Sequence, residues 1–434
     1  MRRKKYVQGI LGACLAALLA GCGSSTTQSP NPPTGLKKRV LVSNQQTGVL
    51  NIIDALKDVF SPKVIPNLVG ASRMVTAAGT TAIVENRVSQ ITIFDNATEQ
   101  ITFAPLTADV VNDVVISPDG KFVWLAERNN GFVQAVDTTT GLVVANIPIA
   151  GAARLALSPN GTKLLVFADV PVTTPPQPNT NTFWVIDTAA VTTTASKTAD
   201  PISAPAPSAG SPLTLDQPFT AVFSGSETQA FILNCGVACG GGSGTPLVPA
   251  SVVKADFTSV AAPSFSAVIP VPSATAGLIS GNSLFVAGTP SLSATGTLVV
   301  IDTASLSLVG AGTQITNGTH TRMVLAGSKL YINSLSCTPG PVAANNTRPG
   351  CLTIADVSGG NPGAGGFPVA VPPVSSLRQS FDVTGIQPIS GRNIVYVVEG
   401  GELDFYDLNT DAISTAITPL DIVGKAIYVV QIDP

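Results

Sequence analysis

Side chains that carry chemistry are scarce in this 434-residue chain, and their spacing limits what they can do. There is one histidine, His320, in "NGTHTRM". A single imidazole cannot build a His/Asp/Glu metal cluster in the usual way. Its place beside a turn reads as a loop histidine rather than a general base. No GxSxG elbow, P-loop or dinucleotide fingerprint occurs. The Gly-rich "CGGGSGT" is not followed by a helix, and the acidic pair Glu402 and Asp404 sits on adjacent strand positions without a partner. These residues call for no metal, no cofactor and no catalytic set.

Six cysteines are present. Cys14 lies in an N-terminal apolar stretch and Cys22 ends it. The other four are Cys235, Cys239, Cys337 and Cys351. In an exported chain they suggest two disulfides, with three connectivities open. Cys235–Cys239 and Cys337–Cys351 are favoured, because each pair brackets a loop-like insert, "CGVAC" and "CTPGPVAANNTRPGC". Zinc is disfavoured, since neither pair has CxxC spacing.

The N-terminus supports export. "MRRKK" precedes an apolar stretch from Val7 to Ala20. A basic segment followed by a short apolar one reads as a secretory signal, because a spanning helix needs about 20 apolar residues. "LAGC", ending at Cys22, resembles the bacterial lipobox. That resemblance implies cleavage before Cys22 and lipidation of its thiol, and the lack of an Asp after Cys22 implies the outer membrane. The expected organisation is therefore a signal peptide over 1–21, a Ser/Thr/Pro-rich tether over 22–37 and one domain over 38–434. A formal net charge of −3, with 11% charged residues, gives no electrostatic case for nucleic acid.

What must position any site is a repeat. Apolar strands ending in Asp recur at Asp54, Asp95, Asp137, Asp187, Asp256, Asp302, Asp356 and Asp407. The spacing is 41 to 69 residues, and the long intervals hold obvious inserts. Without them the period nears that of one four-stranded propeller blade, about 40–45 residues. Each Asp precedes turn residues and is expected to nucleate an Asx-turn rather than bind calcium. The chain ends in a lone strand, "GKAIYVVQIDP", and its first unit lacks one, "KRVLVSN". Joined, they complete a blade and remove the open sheet edges. The expected fold is an all-β propeller of four-stranded antiparallel blades, with eight blades ahead of seven.

The unit "SPDGKFVWLAERNNGFVQAVDTTTGLVVANIPI" resembles the YVTN family of β-propeller repeats, with echoes in "SPNGTKLLVFA" and "VIDTASLSLV". The family occurs in bacterial and archaeal surface proteins. Some propellers with such repeats resemble lactonases, but no acid/base set here supports that activity.

Aligning the innermost strands, "SRMVTA", "ARLALS" and "TRMVLA", puts Arg73, Arg154 and Arg322 at one place, with Lys425 fitting and Asp113 in the equivalent position. The expectation is a cationic channel mouth that binds carboxylates, sulfates or phosphates. The alternative is that each Arg pairs with a neighbouring carboxylate or carbonyl and seals the channel. Trp124 and Trp184 read as packing between sheets rather than as a sugar platform. The leading function is a non-enzymatic, lipid-anchored envelope protein that binds a protein or polysaccharide partner. The alternatives are an enzyme acting on a small anionic or sugar-derived substrate at the mouth, and a scaffold for outer-membrane assembly.

Overall fold

A computed structural model of the chain describes residues 33–170, 177–178, 181–191, 199–203, 213–239, 249–259, 263–290, 294–378 and 380–433. The signal segment, Cys22 and most of the tether lie outside the described residues, as do the "GGGSGT" run after Cys239 and much of the inserts after Val170 and Val191.

Eight antiparallel sheets each carry a four-stranded meander, and a ninth, two-stranded sheet pairs Thr347–Pro349 with Pro373–Ser375. The innermost strands of the eight are Ala71–Ala77, Asp113–Ile116, Ala152–Leu157, Pro218–Phe223, Ala276–Ser280, Met323–Ala326, Val383–Pro388 and Ala426–Gln431. Each lies beside the next around a central channel. The propeller therefore has eight blades, numbered here by chain order of the second strand. Blade 1 closes the ring: Ala426–Gln431, from the C-terminus, pairs with Arg39–Asn44, from the N-terminus, with Leu41 opposite Val430. Arg39 locks this joint. Its guanidinium donates to Asp433 (2.7 and 2.8 Å) and to Glu99 (2.8 Å).

The sequence pattern follows from each strand's depth in its blade. Second strands such as Phe122–Glu127 ("FVWLAE") are buried almost throughout, because neighbouring blades cover both sheet faces. That requires a continuous apolar run rather than alternation. The outermost strand Leu142–Pro148 alternates between exposed and buried positions, as a strand with one wet face must. Eight apolar clusters result, one at each blade–blade junction. Trp124, fully buried, and Trp184, partly buried, share the junction of blades 3 and 4, so both act as packing residues.

All eight recurrent Asp residues end third strands, and each carboxylate accepts a backbone N–H two or three residues on. The distances include 3.0 Å at Leu56, 2.7 Å at Thr139, 3.0 Å at Ala304 and 2.8 Å at Asn409. These are the Asx-turns that the repeat called for. Both favoured disulfides are present, Cys235–Cys239 and Cys337–Cys351.

A four-stranded meander sends its connections to two ends. Turns between strands 1 and 2 and between strands 3 and 4 lie at one end and form the turn face. Connections between strands 2 and 3 and between successive blades lie at the other and form the loop face. Both Cys-bracketed loops are on the loop face. The last tether residues are not free: the Thr34 backbone N–H donates to Glu99 (2.6 Å) and Leu36 packs on the blade 1–2 cluster, beside the turn face.

Candidate binding site at the channel mouth

Strand register decides which residues share a level of the channel. In every blade, the residue facing the recurrent Asp starts the second strand, and four residues later that strand faces the channel mouth. At this level Arg73 pairs with Val84, Asp113 with Ala126, Arg154 with Phe167, Thr220 with Leu233 and Ala276 with Ala287. Gly385 pairs with Val398 and Tyr428 with Ser43. Arg322 joins them through its carbonyl, which accepts Asn333 N–H at 3.1 Å. The ring thus reads Arg73, Asp113, Arg154, Thr220, Ala276, Arg322, Gly385, Tyr428, and it lies at the loop-face end.

Arg73, Arg154 and Arg322 occupy equivalent ring positions, with Arg73, Asp113 and Arg154 on consecutive blades. Lys425 does not join them. The register runs unbroken to Ser43, which faces Tyr428, and Lys425 lies three residues upstream, exposed in the connection. Gly385 lets the neighbouring inner strand pack closely, since a Cβ there would lie 3.0 Å from Val429 Cγ1. Past Gly385, the Arg322 guanidinium lies 4.9 Å from the Tyr428 ring centre. Its Nη1 is buried and has no hydrogen-bond partner among the described residues.

On the other side, Arg73, Asp113, Arg128, Arg154 and Asp169 line a cavity of about 360 Å³ with Phe219 and several threonines. Asp169 bridges Arg154 (2.6 Å) and Arg128 (3.4 Å). Arg154 also donates to the Phe219 carbonyl (2.6 Å) and lies 4.0 Å over that ring. Arg73 reaches Asp113 at 3.2 Å, while Asp113 also accepts the backbone N–H of Val114 (3.0 Å) and Leu155 (2.9 Å). The pairing alternative therefore describes Arg73 and Arg154, but it does not exhaust them. Each guanidinium carries five N–H donors. Arg73 and Arg128 each use one and Arg154 two in bonds to described residues, while each carboxylate oxygen named already accepts. Donors remain in excess, and two carboxylates face three guanidinium groups in this cavity.

Arg128 and Asp169 escaped sequence reasoning. Each sits at the loop-face end of its blade, and only the curvature of the ring brings them together. His320 lies in a connecting loop but is fully buried, and desolvation pushes its imidazole down to about 4, so it stays neutral. The acidic pair does have a partner: Arg378, from the blade 7–8 connection, binds Glu402 (2.9 Å) and Asp404 (2.7 Å) and donates to the Glu399 carbonyl (2.7 Å). A contact between residues 24 and 26 positions apart leaves no local pattern. Among the described residues, no group of three or more His, Cys, Asp or Glu is placed to hold a metal ion.

No family model and no curated protein matches the chain. Solved structures do resemble it. The dihydro-heme d1 dehydrogenase NirN, in complex with DHE, has a TM-score of 0.65 at 11% identity, over 94% of this chain and 78% of its own. Apo AztD from Citrobacter koseri has a TM-score of 0.54 at 12% identity, over 91% and 98%. The computationally designed Ika8 has 0.53 at 12% identity, over 90% and 95%. At such identities the likeness concerns the fold, and a fold by itself does not specify a function.

Proposed function

We propose that this chain is an exported, lipid-anchored binding protein of the bacterial cell envelope, without catalytic activity, and that it takes an anionic group at its loop-face channel mouth. The observation that carries this reading is the ring register. Three arginines stand at equivalent positions around one level, and Arg128 joins them, with more N–H donors than the local carboxylates accept. Convergent guanidinium groups fit a carboxylate, sulfate or phosphate, bidentately where two N–H groups are parallel. Two disulfides fit an oxidising compartment. The lipobox-like "LAGC" supports anchoring through Cys22, with the outer membrane as destination, and the YVTN-like repeats support a place among envelope propellers.

Calorimetric titration with citrate and with sulfate tests the mouth. Both should bind the natural chain, and binding should be lost when Arg73→Ala, Arg154→Ala and Arg322→Ala are combined. Retained affinity in that folded variant overturns the site. For the anchor, Cys22→Ala should release the protein from membranes on fractionation; a Cys22→Ala protein that stays with the membrane overturns lipidation there.

A further inference from the structure

The exposed apolar side chains are distributed unevenly. Among the described residues, six large ones project from loop-face connections: Val88, Val110, Val237, Val342, Leu377 and Val423. Leu377 and Val423 are 84% and 74% exposed. The turn-face connections carry one, Leu56, and the others lie on outermost strands, where one wet face is expected. The six come from six different connections, at the same end of the propeller as the arginine-lined mouth. Apolar groups framing a polar anchor point are what a protein–protein interface presents.

We propose that the loop face docks a polypeptide partner, which inserts an acidic side chain or a chain-terminal carboxylate into the guanidinium mouth and packs apolar side chains against these loops. The proposal rests on the anion-binding reading of the mouth and adds the nature of the partner. Charge complementarity selects the acid: the mouth holds spare guanidinium donors beside carboxylates that already accept. The loop residues select a polypeptide over a free small anion, because a small anion would leave all six untouched. The chain's own direction argues against a lipid surface. The tether enters at the turn face, where Thr34 is held on Glu99, so the segment leading towards Cys22 joins the propeller at the end opposite the mouth.

A synthetic array of randomised nine-residue peptides, probed with the full-length protein, tests this. Peptides combining Asp or Glu with Val, Leu, Ile or Phe should be enriched, and citrate should displace them. Their binding should fall by about tenfold or more, the loss expected of an interface anchor, in Arg73→Ala combined with Arg322→Ala. The conservative Arg73→Lys should retain part of it. A combined Val88→Ser, Leu377→Ser and Val423→Ser protein should bind these peptides several-fold more weakly yet keep its citrate affinity; these are surface changes that leave the core intact. No enrichment of acidic-apolar peptides while citrate still binds overturns the docking proposal alone. So does peptide binding indifferent to the loop variant, or tight binding to phosphatidylglycerol vesicles that the loop variant abolishes. Failure of citrate as well as peptides removes the anion site itself.

Discussion

The two faces of the propeller hold their carboxylates in different ways. On the turn face, Asp256, Asp302 and Asp356 stand at strand ends in water, and each accepts hydrogen bonds from the next few residues. The Thr258 hydroxyl, the Ser305 amide and the Lys329 ammonium respectively lead in holding them below the ordinary carboxylate range, Asp356 at about 2. On the loop face, Glu85, Glu127, Glu399 and Asp404 are buried between blades, and desolvation pushes all four up, Glu399 to about 7 and Asp404 to about 6. The turn face therefore repeats one local bond set eight times, beside a few long-range pairs such as Arg392 with Asp58. The loop face is built from long-range contacts that differ from blade to blade. Repetition suits scaffolding, whereas variation at one end of a rigid frame suits recognition.

The contrast is most sharply tested at Arg378. Its side chain is 7% exposed and is the cation beside Asp404, whose side chain is fully buried. Arg378→Leu should cost about 3–5 kcal/mol at pH 8, as expected when one partner of a buried pair is removed. The cost should shrink at pH 5, where Asp404 and Glu399 take up protons; chemical denaturation at both pH values reads the difference. Equal costs would show that burial does not govern these carboxylates.

Reducing the Cys337–Cys351 bond should cost about 3 kcal/mol, given a loop near 15 residues. Its 14-residue separation exceeds the 4 of Cys235–Cys239, so the latter bond should matter less. Denaturation of the two Cys→Ser double variants compares them. A larger loss at Cys235–Cys239 would point to native contacts rather than chain entropy.

The faces should also respond to pH in opposite directions. A carboxyl whose folded pKa is raised contributes stability that is fully present below its unfolded value and is lost as pH rises through the folded one. For Glu399 and Asp404 that window runs from about pH 4 to about pH 7. Glu399→Gln should flatten the decline in denaturation midpoint across it. For Asp356 the sign reverses: its contribution is present above pH 4 and is lost as pH falls towards 2. An unchanged profile in Glu399→Gln would remove that residue from the account.

The smallest effect belongs to a single turn. Asp137→Ala should cost about 1 kcal/mol, the worth of one local hydrogen-bond set. Asp137→Asn should cost less, because an amide oxygen still accepts from Thr139. A loss several times larger would mean that the turns do more than close strands.

Much of the scaffold was legible in the chain alone. Eight apolar runs ending in Asp specified eight third strands, because an Asx-turn needs only residues next to it. The unmatched terminal strands implied the closure that pairs Leu41 with Val430. Lining up "SRMVTA" with "ARLALS" and "TRMVLA" located one level of the channel, because inner strands share a register. It failed for Lys425, because Tyr428 keeps from Ala426 the two-residue step that Arg73 keeps from Ala71 and Arg154 from Ala152. Arg128 beside Asp169, Arg378 on Asp404 and the burial of His320 could not be read at all.

Local chemistry by itself determined the strands, turns, blade number and closure, since each depends on near neighbours or on a period. Tertiary structure alone decided which side chains meet at the mouth, which carboxylates lose water and which apolar loops share a face. Those outcomes depend on the curvature of eight packed sheets, which brings residues tens of positions apart to within a hydrogen bond of one another.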